Sequence, residues 1–224
     1  MELIRMTKAA IFDMDGVLVN SEDYWKRAEK EVFATVGVKV TEELSEFTAK
    51  MTTEEVTEFW YNHKPWKSKT KEQVEQEVIN YVGELIKREA TPLPGVIEIM
   101  HFLRSDGFKI GIATNSPESL IPAVIEKLGI SDFIDVYSSS ENELNTKPDP
   151  AVYLSAARKL NVATNFCIAF DDSKSGIISA KRSGMKTIAL NNRKQFNDIS
   201  NELADLKIDN LKDFNDSHLR VLFN

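Results

Sequence analysis

Short runs of apolar and β-branched residues recur at Lys8 to Phe12, Lys109 to Ala113, Phe166 to Phe170 and Lys186 to Leu190, each followed by a polar turn, the first three containing Gly or Ser. They lack the two-residue alternation of a half-exposed strand, which predicts strands buried on both faces. Between them, apolar positions return every three or four residues over Val96 to Leu103, Leu120 to Leu128, Val152 to Leu160 and Ser175 to Ser183. That is the spacing of helices with one buried face, and Gly107, Gly129 and Gly184 supply stops. Strand, helix and strand in repetition predict an α/β fold, a Rossmann-like parallel sheet with helices on both faces.

The rhythm stops between about Ser21 and Ala90, where only helical periodicities occur, over Tyr24 to Val36, Thr53 to Asn62 and Lys71 to Arg88. It resumes after Thr91-Pro92-Leu93-Pro94-Gly95, a turn-forming run. The expected organisation is a discontinuous core, residues 1–18 and 92–224, split by an all-helical cap at 19–91 with hinges near Val19 and Pro92. The Asn- and Asp-rich tail beyond Asn191 reads as short helices and loops.

Composition narrows the function classes. The chain has 224 residues, 42% of them hydrophobic, enough to bury a sizeable core. Its net charge of -7 repels nucleic acid and anionic membranes, so neither is an expected partner. Met1 to Lys8 lacks the apolar stretch of a secretory signal and no window approaches a membrane span, so a cytoplasmic protein is expected. The single cysteine, Cys167, sits in an apolar run and reads as core. The three histidines, His63, His101 and His218, show no zinc-ligand spacing.

Candidate chemistry gathers where strands end. In Phe12-Asp13-Met14-Asp15-Gly16, Asp13 and Asp15 are two apart on extended chain and project to one side, at the end of a sheet where ligands bind. Carboxylates so close need a cation between them or a shared proton. With hard oxygen ligands that cation is Mg²⁺. A calcium loop is excluded, because Gly16 stands fourth from Asp13 where that loop needs its glycine sixth; a solvated turn is the plain alternative. Thr114-Asn115-Ser116-Pro117 offers hydroxyl and amide donors to a phosphoryl group, or ordinary helix capping. Lys147, before Pro148-Asp149-Pro150, is a point charge for a phosphate or a surface lysine. Asp171-Asp172-Ser173 either caps the next helix or completes a magnesium site begun by Asp13 and the main-chain carbonyl of Asp15.

Taken in order, Asp13-Met14-Asp15-Gly16, Thr114-Asn115, Lys147-Pro148 and Asp171-Asp172-Ser173 resemble the haloacid dehalogenase superfamily over nearly the whole chain. The helical insert resembles the small-cap branch that includes β-phosphoglucomutases and sugar-phosphate phosphatases. The resemblance implies Asp13 as nucleophile, Asp15 as general acid and base, Thr114, Asn115 and Lys147 as phosphoryl binders, and Asp13, Asp15, Asp171 and Asp172 around Mg²⁺. It implies a phosphatase of small phosphorylated sugars; a monomer is the default expectation. Phe59-Trp60-Tyr61-Asn62-His63-Lys64-Pro65-Trp66 is similar to a segment of 2-deoxyglucose-6-phosphate and hexitol-phosphate phosphatases. Its rings either meet a sugar face or form the cap's own core. Two departures stand out. Thr53 occupies the position of the cap arginine of β-phosphoglucomutases, with Lys50 as a substitute, which disfavours a mutase; and the acidic pair is Asp-Asp where this branch more often has Glu-Asp. The rival readings are a phosphomutase and a catalytically silent sugar-phosphate sensor.

Overall fold

The computed structural model describes residues 7–48, 51–191 and 203–223. Lys50, Met1 to Met6 and the tail segment 192–202 therefore lie outside the described residues. The chain divides into two compact units, residues 1–20 with 91–224, and residues 21–90.

The first unit holds a parallel sheet of β1 (Ala9–Phe12), β2 (Lys109–Thr114), β3 (Val136–Ser139), β4 (Cys167–Asp171), β5 (Lys186–Leu190) and β6 (Leu206–Ile208), in the order β3-β2-β1-β4-β5-β6. The four strands expected from apolar runs form its interior. Sequence reading missed β3 and β6 because they are short edge strands without an apolar run: β3 ends in the buried serines Ser138 and Ser139, and β6 carries the exposed Lys207. In the tail, β6 takes the place of an expected loop.

Parity sorts the two faces of β1. Ala9 and Ile11 pack with Val152, Tyr153, Ala156 and Leu160 of the later helix Ala151–Leu160. The alternate residue Phe12 stacks on Phe170 at 4.6 Å between ring centres, and Phe170 meets Phe214 edge-on. Helices therefore cover both faces, as continuous apolar strands require. The turn after helix Val96–Ser105 needs Gly107 at φ 80, a left-handed conformation that glycine adopts without cost.

The described secondary structure of the second unit is all helical: α1 (Glu22–Thr35), α2 (Glu42–Thr48), α3 (Thr53–His63) and α4 (Lys71–Glu89). Short, polar α2 had no legible period. Thr53 opens α3, where Thr52 and Glu55 form a reciprocal capping box. Trp60 and Trp66 are buried and both meet the ring of Phe33, so these two tryptophans belong to the unit's own core. At the base of the insert Val19 bridges to Asp15 on one side and to Pro92 on the other, and Leu93 N–H donates to the Leu18 carbonyl at 2.9 Å.

Candidate active site

The register of β1 with β4 assembles the centre of the site. Ile11 faces Ala169 and Phe12 faces Phe170, and one step beyond the strand the Asp13 N–H donates to the Phe170 carbonyl at 2.9 Å. Alternation then carries Asp13 and Asp171 to the side of the sheet occupied by Tyr153. Between β1 and β4 the strand order also reverses, since β2 and β3 lie on one side of β1 and β4 to β6 on the other. Such a switch point opens a crevice at the carboxyl ends of the strands.

Lys147 enters that crevice from the loop after β3. Its Nζ donates to Asp13 Oδ1 at 2.7 Å and to Asp171 Oδ2 at 2.8 Å, with 3% of its side chain exposed. The backbone is held in turn, as Lys147 N–H donates to Asn115 Oδ1 at 3.1 Å. Asn115 thus touches the lysine loop through its carbonyl oxygen. Asp171 also accepts from the Tyr153 hydroxyl at 2.7 Å and from the Ser173 N–H and hydroxyl at 2.9 and 2.8 Å.

Asp15 is positioned separately. Its loop closes through Leu18 N–H to the Met14 carbonyl and Gly16 N–H to the Val19 carbonyl, with Gly16 at φ 81. Its Oδ2 accepts from the Ser116 hydroxyl at 2.5 Å and, more weakly, from Thr114 Oγ1 at 3.4 Å. Ser116 is held by Ser139, whose hydroxyl donates to the Ser116 carbonyl at 2.7 Å. Sequence reading offered Ser116 only as a phosphoryl donor or a helix cap and did not foresee its contact with Asp15. Its available signal was a hydroxyl two residues beyond Thr114 at a strand end.

The electrostatics of the cluster follow from its crowding. Burial pushes the Asp13 carboxyl well above the usual carboxylate range; Lys147 opposes this, while Asp171, Asp15 and Asp172 add to it. Burial disfavours the Lys147 ammonium, yet the Asp13 and Asp171 carboxylates outweigh it and hold Lys147 above the usual lysine range. One ammonium does not balance these acids. Oxygens of Asp13, Asp171 and Asp172 lie within 4.8 Å of one another, the one such cluster of potential metal ligands among the described residues. An all-oxygen, under-neutralised donor set fits a hard divalent cation.

The remaining candidates fall elsewhere. His101 packs edge-on to Phe133, His63 stacks on Phe59 and His218 on Phe214. Cys167 is buried in the sheet, which pushes its thiol up to about 12. No helix among the described residues is long and apolar enough to cross a membrane.

A family model of haloacid dehalogenase-like hydrolases matches residues 10–190. The chain belongs to this family. Among curated haloacid dehalogenase relatives, it is 35% identical to hexitol phosphatase B of Escherichia coli over 92% of this chain and 94% of that one. It is 31% identical to a phosphorylated carbohydrates phosphatase of Thermotoga maritima, over 81% and 83% of the two chains. Among solved haloacid dehalogenase folds, β-phosphoglucomutase of Clostridium difficile superposes with a TM-score of 0.80 at 26% identity, over 98% of both chains.

Proposed function

We propose that this haloacid dehalogenase-like hydrolase is a Mg²⁺-dependent phosphatase of small phosphorylated sugars or sugar alcohols, working through a phosphorylated Asp13. One observation carries the reading: a buried carboxylate, Asp13, is paired with Lys147 at 2.7 Å, and a second carboxylate two residues on is held apart from it by Ser116. The first is built to meet an anion, the second to exchange a proton.

Lys147 and the Thr114 hydroxyl bind the phosphoryl oxygens. An Asp13 oxygen attacks phosphorus in line, its new bond forming as the bond to the sugar oxygen breaks, and Asp15 gives its proton to that oxygen. Water then attacks the aspartyl phosphate, passing its proton to Asp15, and the bond to Asp13 breaks to release phosphate. Asp13, Asp172 and the main-chain carbonyl of Asp15 would hold Mg²⁺, which when bound neutralises phosphate charge and keeps Asp13 ionised despite its burial. Asp15, bridged to Val19 at the base of the insert, ties the proton donor to the chain that leads into the cap.

Hexitol phosphatase B and the Thermotoga phosphatase, at 35% and 31% identity, support a phosphatase over the mutase, whose curated Bacillus subtilis representative is 27% identical. The test is phosphate release from a panel of hexose, 2-deoxyhexose and hexitol phosphates, with Mg²⁺ and with chelator. Metal-dependent release is expected. Conversion of β-glucose 1-phosphate to glucose 6-phosphate, given a bisphosphate primer and without release, would establish the mutase instead, and silence in both assays the sensor.

A further inference from the structure

Asp171 is fully enclosed, and all its acceptor capacity is in use. Its Oδ2 holds Lys147 Nζ at 2.8 Å and the Tyr153 hydroxyl at 2.7 Å; its Oδ1 holds the Ser173 N–H at 2.9 Å and the Ser173 hydroxyl at 2.8 Å. A carboxylate offers about four lone-pair positions, so these donors fill it. The floor is equally tight, because a Cβ at Gly176 would lie 1.9 Å from Oδ2. A metal bond from Asp171 requires a donor to leave. Tyr153 meanwhile touches both partners of the ion pair, its hydroxyl on Asp171 and its ring 4.8 Å from the Lys147 ammonium. Two of the three Lys147 N–H groups point at Asp13 and Asp171, leaving the third for a phosphoryl oxygen.

We propose that Asp171 and Tyr153 are positioning residues that aim Lys147 at the phosphoryl group beside Asp13, and that Asp171 makes no direct bond to the metal. The aiming role rests on the phosphatase reading; the exclusion of Asp171 from direct metal bonding stands without it.

The test uses the full chain and reads binding without turnover. Mn²⁺ affinity, followed by electron paramagnetic resonance, is expected to fall at least about tenfold less in Asp171→Asn than in Asp172→Asn. Tyr153→Phe keeps the ring and is expected to bind Mn²⁺ like the wild type. Its affinity for inorganic phosphate, measured by calorimetry on the Mn²⁺-loaded protein, is expected to drop about tenfold, with a matching rise in KM for a phosphate ester. Equal Mn²⁺ losses in Asp171→Asn and Asp172→Asn make Asp171 a direct ligand and overturn the proposal. So does a Tyr153→Phe protein that melts lower but binds phosphate unchanged, because Tyr153 is then packing only. A wild-type protein that releases phosphate from no ester sinks the phosphatase reading, and the Mn²⁺ titration still decides the place of Asp171.

Discussion

The burial of Asp13 costs stability at neutral pH. A carboxyl whose pKa is higher in the folded than the unfolded chain binds its proton more tightly when folded. Its stabilisation is complete below the unfolded value and is lost as pH rises through the folded one. Asp13→Asn should therefore abolish phosphate release, by about a thousandfold or more, while the metal-free protein at pH 8 melts no lower than the wild type; retained turnover would remove Asp13 as nucleophile. The same sign holds for Glu29 on α1, which burial pushes up to about 7 with only Lys26 opposing. Glu29→Gln should leave stability unchanged near pH 4 and raise it on the order of 2 kcal/mol at pH 8, the difference opening between about 4.5 and about 7; parallel melting curves at both pH values would refute this. Gly176 is constrained by volume. Gly176→Ala places a methyl against the Asp171 carboxylate and should cost about 2 kcal/mol in a denaturant melt while weakening phosphate release, because Lys147 moves with Asp171.

At the scale of elements, legibility followed burial and local sequence. Interior strands announced themselves as apolar runs because both of their faces need cover, and α1, α3 and α4 because one face does. The edge strands β3 and β6 did not, since a buried serine pair in the one and an exposed lysine in the other erase the pattern in so few residues. The site divides in the same way. Asp13, Thr114 and Asp171 could be placed from sequence because a strand end is a local feature, and Lys147 because its loop precedes a legible helix. The contacts that Ser116 and Tyr153 make could not be foreseen, because they cross the fold: Ser116 reaches Asp15 over 101 positions and Tyr153 reaches Asp171 over 18. A hydroxyl with no local partner gives no advance sign of what the register of distant strands will bring beside it.

At the scale of the whole molecule, the insert of residues 21–90 hangs on two strands of chain that are paired where they cross its base. Its helices have their own tryptophan-centred core, so the rest of the chain does not depend on them for its packed sheet. Replacing residues 21–90 with a short Gly-Ser linker should leave a folded protein that binds Mn²⁺ as before but ranks phosphate esters differently; an unchanged ranking would deny the insert any part in selectivity. The Val19–Pro92 bridge carries a consequence for inheritance as well. Because opposed residues of an antiparallel bridge sit about 5 Å apart, the two ends of the insert are near neighbours, and a gene segment encoding a different helical bundle can be spliced there without stretching the catalytic loop. If the insert selects the ester, as proposed, new substrates can be acquired by exchanging it at this base, while Asp13, Asp15 and Lys147 pass unaltered from one specificity to the next.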